Sequence, residues 1–225
     1  MADIKTLKAK AEQGDMNAQL ELGDCYSHGR LGVEKNNKKA VYWYTKAAEE
    51  GGCPELMFLL GDCYDTGRIF RQNKNKALYW YTRAAEEGDY KAQFFLGCLY
   101  YQGEGIPRDF EKAVYWYTRS AETLFTPALV NLGFCYYCGE GVLKDIEKAA
   151  QLFIKAANEG NVRAYLNLEF CYFNGIGVPK DKEKALYYYN KAAECTFTEG
   201  IYLGGICYFI VNRKTKTMIH KDGTR

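Results

Sequence analysis

The residue patterns that nucleophilic catalysis needs are scarce in this sequence. It contains only two histidines, His28 and His220, and a nucleophile needs a base within hydrogen-bonding reach. Neither of its serines, Ser27 and Ser120, is followed at the third position by a lysine, so the Ser-x-x-Lys motif is missing. We therefore expect no catalytic residues and no enzyme.

Phosphate loops and metal sites also lack their partners. The glycine-rich loops at 103–105 and 175–177 follow predicted helices rather than strands and lack a Gly-Lys-Ser/Thr ending. Cys135 and Cys138 form the one Cys-x-x-Cys pair, and a zinc site would need two more ligands. We expect no metal and no cofactor.

Long apolar runs and a charge imbalance are missing too. No segment approaches the ~20 apolar residues of a membrane span, and the N-terminal ten residues are charged rather than apolar, unlike a secretory signal. The 30 basic and 28 acidic residues leave a formal net charge of +2, which creates no overall field for nucleic acid or membranes. We expect a cytoplasmic chain with no membrane span and no nucleic-acid partner.

What the sequence does have is a motif that recurs about every 36 residues. The consensus is Ala-x3-Leu-Gly-x2-Tyr, then a glycine-rich connection, then Ala-x3-aromatic-x2-Ala, and the fifth copy departs from it with Glu169 at the glycine position. A period of this length indicates a pair of helices, A and B, that buries its apolar face only against further copies. We predict an all-α solenoid of about five repeats and a terminal half-repeat.

The motif also predicts the boundaries of the units. Each helix B should begin after an Asn or Asp that can act as an N-cap: Asn36, Asn73, Asp109, Asp145 and Asp181. The predicted units are a capping helix at 1–14, repeats at 15–51, 52–88, 89–124, 125–160 and 161–196, a partial repeat at 197–211, and a basic tail at 212–225.

Five of the nine cysteines occupy a single repeat position on the apolar stripe of helix A: Cys25, Cys63, Cys135, Cys171 and Cys207. Two helix layers of about 8–10 Å each should separate neighbours in this series, beyond the ~7 Å limit for a disulfide. We expect buried free thiols and a reducing compartment.

The repeated motif resembles the Sel-one-like repeat, a relative of the tetratricopeptide repeat with a longer connection, over residues 4–210. The resemblance implies a right-handed α-solenoid that serves as a scaffold or adaptor for protein complexes. One branch of that family is secreted, rich in disulfides and linked to β-lactam binding. A β-lactam-binding or hydrolysing protein is therefore the alternative function, although most repeats here carry one cysteine rather than a pair.

In the tetratricopeptide fold, residues just after the helix A glycine line a concave groove, and that geometry selects two positions per repeat here. The groove would be acidic in the first two repeats and aromatic from the third on. The predicted binding residues are Asp24, Asp62, Asp65, Tyr101, Phe134, Tyr137, Phe170 and Phe173. Such a groove favours a basic, partly apolar peptide, and the alternative is that its rings are buried between repeats.

The C-terminal half-repeat offers a second way to associate. A sixth helix A, predicted over residues 198–210, has no recognisable helix B after it. Its apolar flank would then be open to self-association through Ile201, Tyr202, Ile206 and Phe209.

Overall fold

The computed structural model describes residues 3–69, 71–195, 210–211 and 218–219. Apart from two short strands, every regular element in these residues is helical: α1 (Ile4–Glu12), α2 (Met16–His28), α3 (Asn37–Gly51), α4 (Pro54–Thr66), α5 (Lys74–Glu86), α6 (Tyr90–Gln102), α7 (Phe110–Ala121), α8 (Thr126–Cys138), α9 (Ile146–Asn158), α10 (Val162–Asn174) and α11 (Lys182–Glu194). The helices from α2 to α11 alternate as A and B. The predicted all-α repeat solenoid is confirmed.

The chain divides into two compact units. Unit 1 is Met1–Leu96 with Glu104–Ile106, and unit 2 is Gly97–Gly103 with Pro107–Arg225. The division falls within α6, so the helices of the first two repeats belong to unit 1 and those of the last two to unit 2.

Every helix B begins at a side-chain cap. The residue before the helix accepts a hydrogen bond from the backbone N–H three positions later, as in Asn36 from Lys39 and Asp145 from Lys148. All five predicted N-caps make this bond, which satisfies one of the donors that a helix start leaves unpaired.

Within a repeat, helices A and B touch at the glycine of the Leu-Gly pair. A Cβ atom on Gly133 would lie 2.6 Å from the Phe153 ring, and one on Gly97 would lie 2.7 Å from the Tyr117 ring. Both distances are shorter than a carbon–carbon contact allows. The glycine is therefore what allows the aromatic side chain of helix B to lie flat against helix A.

Successive repeats meet at a second glycine, in the connection between helices A and B. A Cβ atom on Gly141 would overlap the Phe110 carbonyl oxygen, at the first turn of the preceding helix B, and Gly177 stands in the same relation to Ile146. In the second repeat Ile69 takes this position. Its carbonyl accepts a hydrogen bond from Asn37 Nδ2 at 2.9 Å instead.

Helix α1 packs on α2 in the way that a helix B packs on the next helix A. Leu7 and Ala11 are buried in the cluster that also holds Leu22. The amide of buried Gln19 donates to the Ala11 carbonyl at 3.1 Å. The corresponding amide on α6, that of Gln93, donates to the end of α5 at the same distance.

None of the eight described cysteines forms a disulfide bond. Of the repeated series, Cys25, Cys135 and Cys171 are buried and Cys63 is partly exposed, while Cys207 lies outside the described residues. The expectation of unpaired thiols is confirmed for these four. Burial raises the pKa of each of these thiols.

Cys171 is expected to lower stability at alkaline pH. Burial raises the pKa of its thiol from 9.0 to about 12, so the unfolded chain loses this proton first. From about pH 9 to about pH 12 the free energy of unfolding should fall by up to about 1.4 kcal/mol per pH unit on account of this group, and below pH 9 the group adds no slope. Urea unfolding of wild type and Cys171→Ala across this range measures the difference in slope, and equal slopes would contradict the assignment.

The C-terminal elements are a strand pair, with β1 (Ile210–Val211) antiparallel to β2 (Met218–Ile219). Ile210, predicted as the last residue of a sixth helix A, lies in β1, so that helix boundary is wrong; two successive β-branched residues favour a strand at this point. The rest of that predicted helix, including its apolar flank, lies outside the described residues. None of the helices in the described part of the chain has the length and apolar character needed to cross a membrane.

Candidate functional site

The predicted acidic residues of unit 1 are already in contact with donors. The Tyr44 hydroxyl donates a hydrogen bond to the exposed Asp24 carboxylate. Burial and this bond raise the pKa of Tyr44 to about 12. Asp62 pairs with Arg68 at 3.6 Å. Burial raises the pKa of the Asp62 carboxyl, and the nearby Asp65 adds to the effect.

Lys74 joins two repeats through the third of these carboxylates. Its Nζ lies 2.8 Å from Asp65 and 3.4 Å from Glu104, which belongs to the loop of the next repeat. Burial opposes its charge, but the hydrogen bond and the attraction of Asp65, with Glu104 adding to them, raise the pKa of Lys74 overall. Through Lys74, Asp65 therefore contributes to the contact between two repeats, in addition to any ligand that it binds.

Sequence reasoning missed these bases because their positions vary from repeat to repeat. The position of Lys74 holds Phe110 in the third repeat and Ile146 in the fourth, and a lysine again in the fifth, Lys182. Periodicity identifies the residues that every repeat shares. The partners of a carboxylate lie at positions that change from copy to copy, and only the folded chain brings them within 4 Å.

Among the aromatic residues of unit 2, Phe134 lies in the core. It is only 7% exposed, because α8 is buried without interruption over residues 128–135. At this position the alternative of a buried ring applies, and Phe134 cannot serve as a surface anchor in this conformation.

Of the other four aromatic residues, three are partly buried and one is exposed. Tyr101 is partly buried, with its ring 5.1 Å from that of Phe110 and its hydroxyl donating to Glu140. Tyr137 and Phe170 are also partly buried. Phe173, near the C-terminal end of α10, is 46% exposed. Of the predicted aromatic residues, Phe173 on α10 is therefore the one with an exposed ring.

One serine and one histidine lie in contact, but not as a catalytic pair. Ser27 Oγ lies 2.7 Å from His28 Nδ1, and both atoms also lie within 3.1 Å of the Asp24 carbonyl oxygen. A protonated Nδ1 donates to the Asp24 carbonyl oxygen, whereas an unprotonated Nδ1 accepts from Ser27, so the roles of these atoms depend on the His28 tautomer. No carboxylate orients the ring, as a catalytic triad requires.

Metal chemistry has no evident centre in the part of the chain that the structure describes. Across those residues, no three histidine, cysteine or acidic side chains come together in the way that metal binding requires.

The helix pairs and the side-chain caps of their B helices recur through five repeats. The Sel1 repeat model matches residues 17–52, 54–89, 91–122, 126–161 and 163–197. The chain belongs to the Sel1 repeat family. Sel1 repeat proteins generally mediate protein–protein interaction.

Two solved structures are similar to this Sel1 repeat protein. A protective antigen of uropathogenic Escherichia coli, c5321, is 34% identical with a TM-score of 0.75, and the match covers 86% of this chain and 41% of that one. A Sel1 repeat protein from Oxalobacter formigenes is 32% identical with a TM-score of 0.78, covering 85% and 55%.

A curated relative matches over a shorter stretch. Chitin synthase regulatory factor 3 of Schizosaccharomyces pombe is 44% identical over 43 residues, which is 19% of this chain and 5% of that protein. The chain thus spans from 5% to 55% of the length of these relatives.

Proposed function

We propose that this Sel1 repeat protein is a non-catalytic scaffold or adaptor that binds a peptide or a partner domain through the faces of its A helices. The observation that carries the proposal is Phe173, which is 46% exposed on α10, together with the partly exposed rings of Phe170 on the same helix and of Tyr137 on α8. Full burial of an exposed phenylalanine side chain contributes about 1.5–3 kcal/mol, and covering the exposed half of Phe173 contributes about half of that. Aromatic anchors of this kind are typical of binding hot spots.

The charges of unit 1 modify the expected partner. Asp24 is exposed, and the pair between Asp62 and Arg68 is long, with the arginine side chain 73% exposed. Exposed pairs of this kind are weak, so a basic residue of a partner can replace Arg68. Lys74 is only 18% exposed and holds Asp65 more firmly. A partly apolar partner with few basic residues therefore fits best.

Replacing Tyr137 and Phe173 together by alanine is expected to weaken partner binding while the fold is retained. Affinity capture from the source cell, quantified by mass spectrometry, should show partners that wild type retains and the double variant loses. Binding of a purified partner should weaken about tenfold or more, since loss of one hot-spot residue removes about 2 kcal/mol.

The matched control is Tyr187→Ala, which removes a ring that is 55% exposed on a B helix of the same unit. It should leave binding unchanged. Equal loss of partners in the control would mean that exposed rings bind without specificity. Unfolding of the double variant, seen by circular dichroism, would assign Tyr137 and Phe173 to the core.

We propose a reducing compartment such as the cytoplasm for this activity, and the eight free thiols among the described residues support it. They also separate the chain from the disulfide-rich, β-lactam-linked branch. No observation in the described residues favours that alternative.

A further inference from the structure

A cleft of about 580 Å³ lies in unit 1, and none of the predicted groove residues is among its lining residues. It is formed by the first turns of α3, by Tyr64 of α4 and by the segment that leads into α5. Its lining includes three bases, Lys38, Arg71 and Lys76, together with Asn73.

The charge of this cleft is positive and uncompensated. No carboxylate is among its lining residues. Of the ion pairs found among the described residues, none includes Lys38, Arg71 or Lys76. All three bases are exposed, and Lys76 Nζ lies 5.0 Å from the Tyr64 ring centroid. Three like charges in one cleft favour an anionic occupant.

This charge is not shared by a partly corresponding cleft of unit 2, which holds one base, Lys144, beside two acidic residues. That cleft, of about 630 Å³, has Tyr136 where the first has Tyr64 and Asp145 where the first has Asn73. It also contains Glu147. The first turns of α3 and α5 have no acidic residue, whereas those of α7, α9 and α11 each contain a glutamate.

We infer that the cleft of unit 1 binds a phosphorylated side chain on a segment of a partner protein. A phosphate monoester carries a charge of about −1.5 to −2 at neutral pH, which three basic side chains can balance. A ligand with a single carboxylate carries less negative charge and would balance the three bases less well. The Arg71 guanidinium suits a phosphate geometrically. The volume exceeds that of one phosphate group, so residues on either side of it can pack on Val41 and Tyr64. This inference rests on residues outside the predicted groove. It holds whether or not Phe173 anchors a partner.

The test is an array of peptides that carry phosphoserine, phosphothreonine or phosphotyrosine, each beside its unphosphorylated counterpart. The strongest binder is then measured by fluorescence anisotropy with the full chain. We expect the phosphorylated peptide to bind about tenfold or more tightly than its counterpart, and Lys38→Ala/Arg71→Ala to remove that difference, because charge-assisted hydrogen bonds are the strong ones. Added inorganic phosphate should compete, while chloride at equal ionic strength should not.

The matched control is Lys144→Ala/Lys180→Ala, which removes the same charge from two exposed positions in unit 2 and should leave binding within about twofold. Equal loss in the control, or no preference for phosphorylated peptides, would overturn the inference. Labelled single-stranded RNA and vesicles with anionic lipid serve as further probes. If RNA or vesicles bind more tightly than the phosphorylated peptide, and Lys38→Ala/Arg71→Ala removes that binding, the cleft is assigned to that polyanion instead.

Discussion

Phe134→Ala is expected to lower the free energy of unfolding by about 3–5 kcal/mol, the range for truncating a buried phenylalanine. The ring is 7% exposed and lies on a helix whose residues 128–135 are all buried. Its removal takes apolar surface out of the core and leaves a cavity that neighbouring side chains fill only in part. Urea unfolding followed by circular dichroism measures the change.

Phe173→Ala is the comparison that separates core from surface. Phe173 is 46% exposed, and we expect its replacement to change stability by about 0.5 kcal/mol or less, as is usual on the surface. Similar losses for the two variants would contradict the distinction between Phe134 and Phe173. They would also remove Phe173 as a binding anchor, because a ring that holds the fold together is not free to accept a partner.

Gly141→Ala is expected to lower the free energy of unfolding by about 3 kcal/mol, for two reasons that add. The backbone at Gly141 has φ +69°, a left-handed conformation that disfavours alanine by about 1–2 kcal/mol. The new Cβ atom would also overlap the Phe110 carbonyl oxygen, and overpacking of this kind typically removes a further 1–3 kcal/mol or so. Because Phe110 belongs to the preceding helix B, the loss falls on the contact between repeats.

The matched control is Gly160→Ala. Gly160 has φ +81°, but no atom lies within 4 Å of the position that its Cβ would take. Only the conformational term remains, and the loss should be about 1–2 kcal/mol. If the two alanine variants unfold at the same urea concentration, the close approach of Gly141 to Phe110 contributes nothing to stability.

Much of the fold could be predicted because the repeat gives several independent observations of the same residue environment. Asn36 and Asp145 occupy one position and cap the same helix start in the same way. Gly97 and Gly133 each face an aromatic ring of helix B. A residue type that recurs at one repeat position indicates that the local backbone or packing requires it. Such local requirements are what helix-capping and periodicity rules describe.

The candidate site was less predictable because its positions differ from repeat to repeat. Phe134 and Phe170 hold equivalent positions, yet the first is buried and the second partly exposed. Exposure depends on what packs on each helix. The ion pairs of Lys74 likewise depend on the folded chain. Asp65 lies 9 positions before Lys74 in the sequence, and Glu104 lies 30 positions after it.

By itself, the sequence determined that this chain is a Sel1-type helical solenoid, where its B helices begin and which glycines its helices need, because these follow from periodicity and from local backbone chemistry. Only the tertiary structure decided that Phe134 is core, that Asp65 is held by Lys74, and that Lys38, Arg71 and Lys76 line one cleft. Burial and charge pairing are properties of neighbours in space, and the chain brings those neighbours together only when the repeats stack.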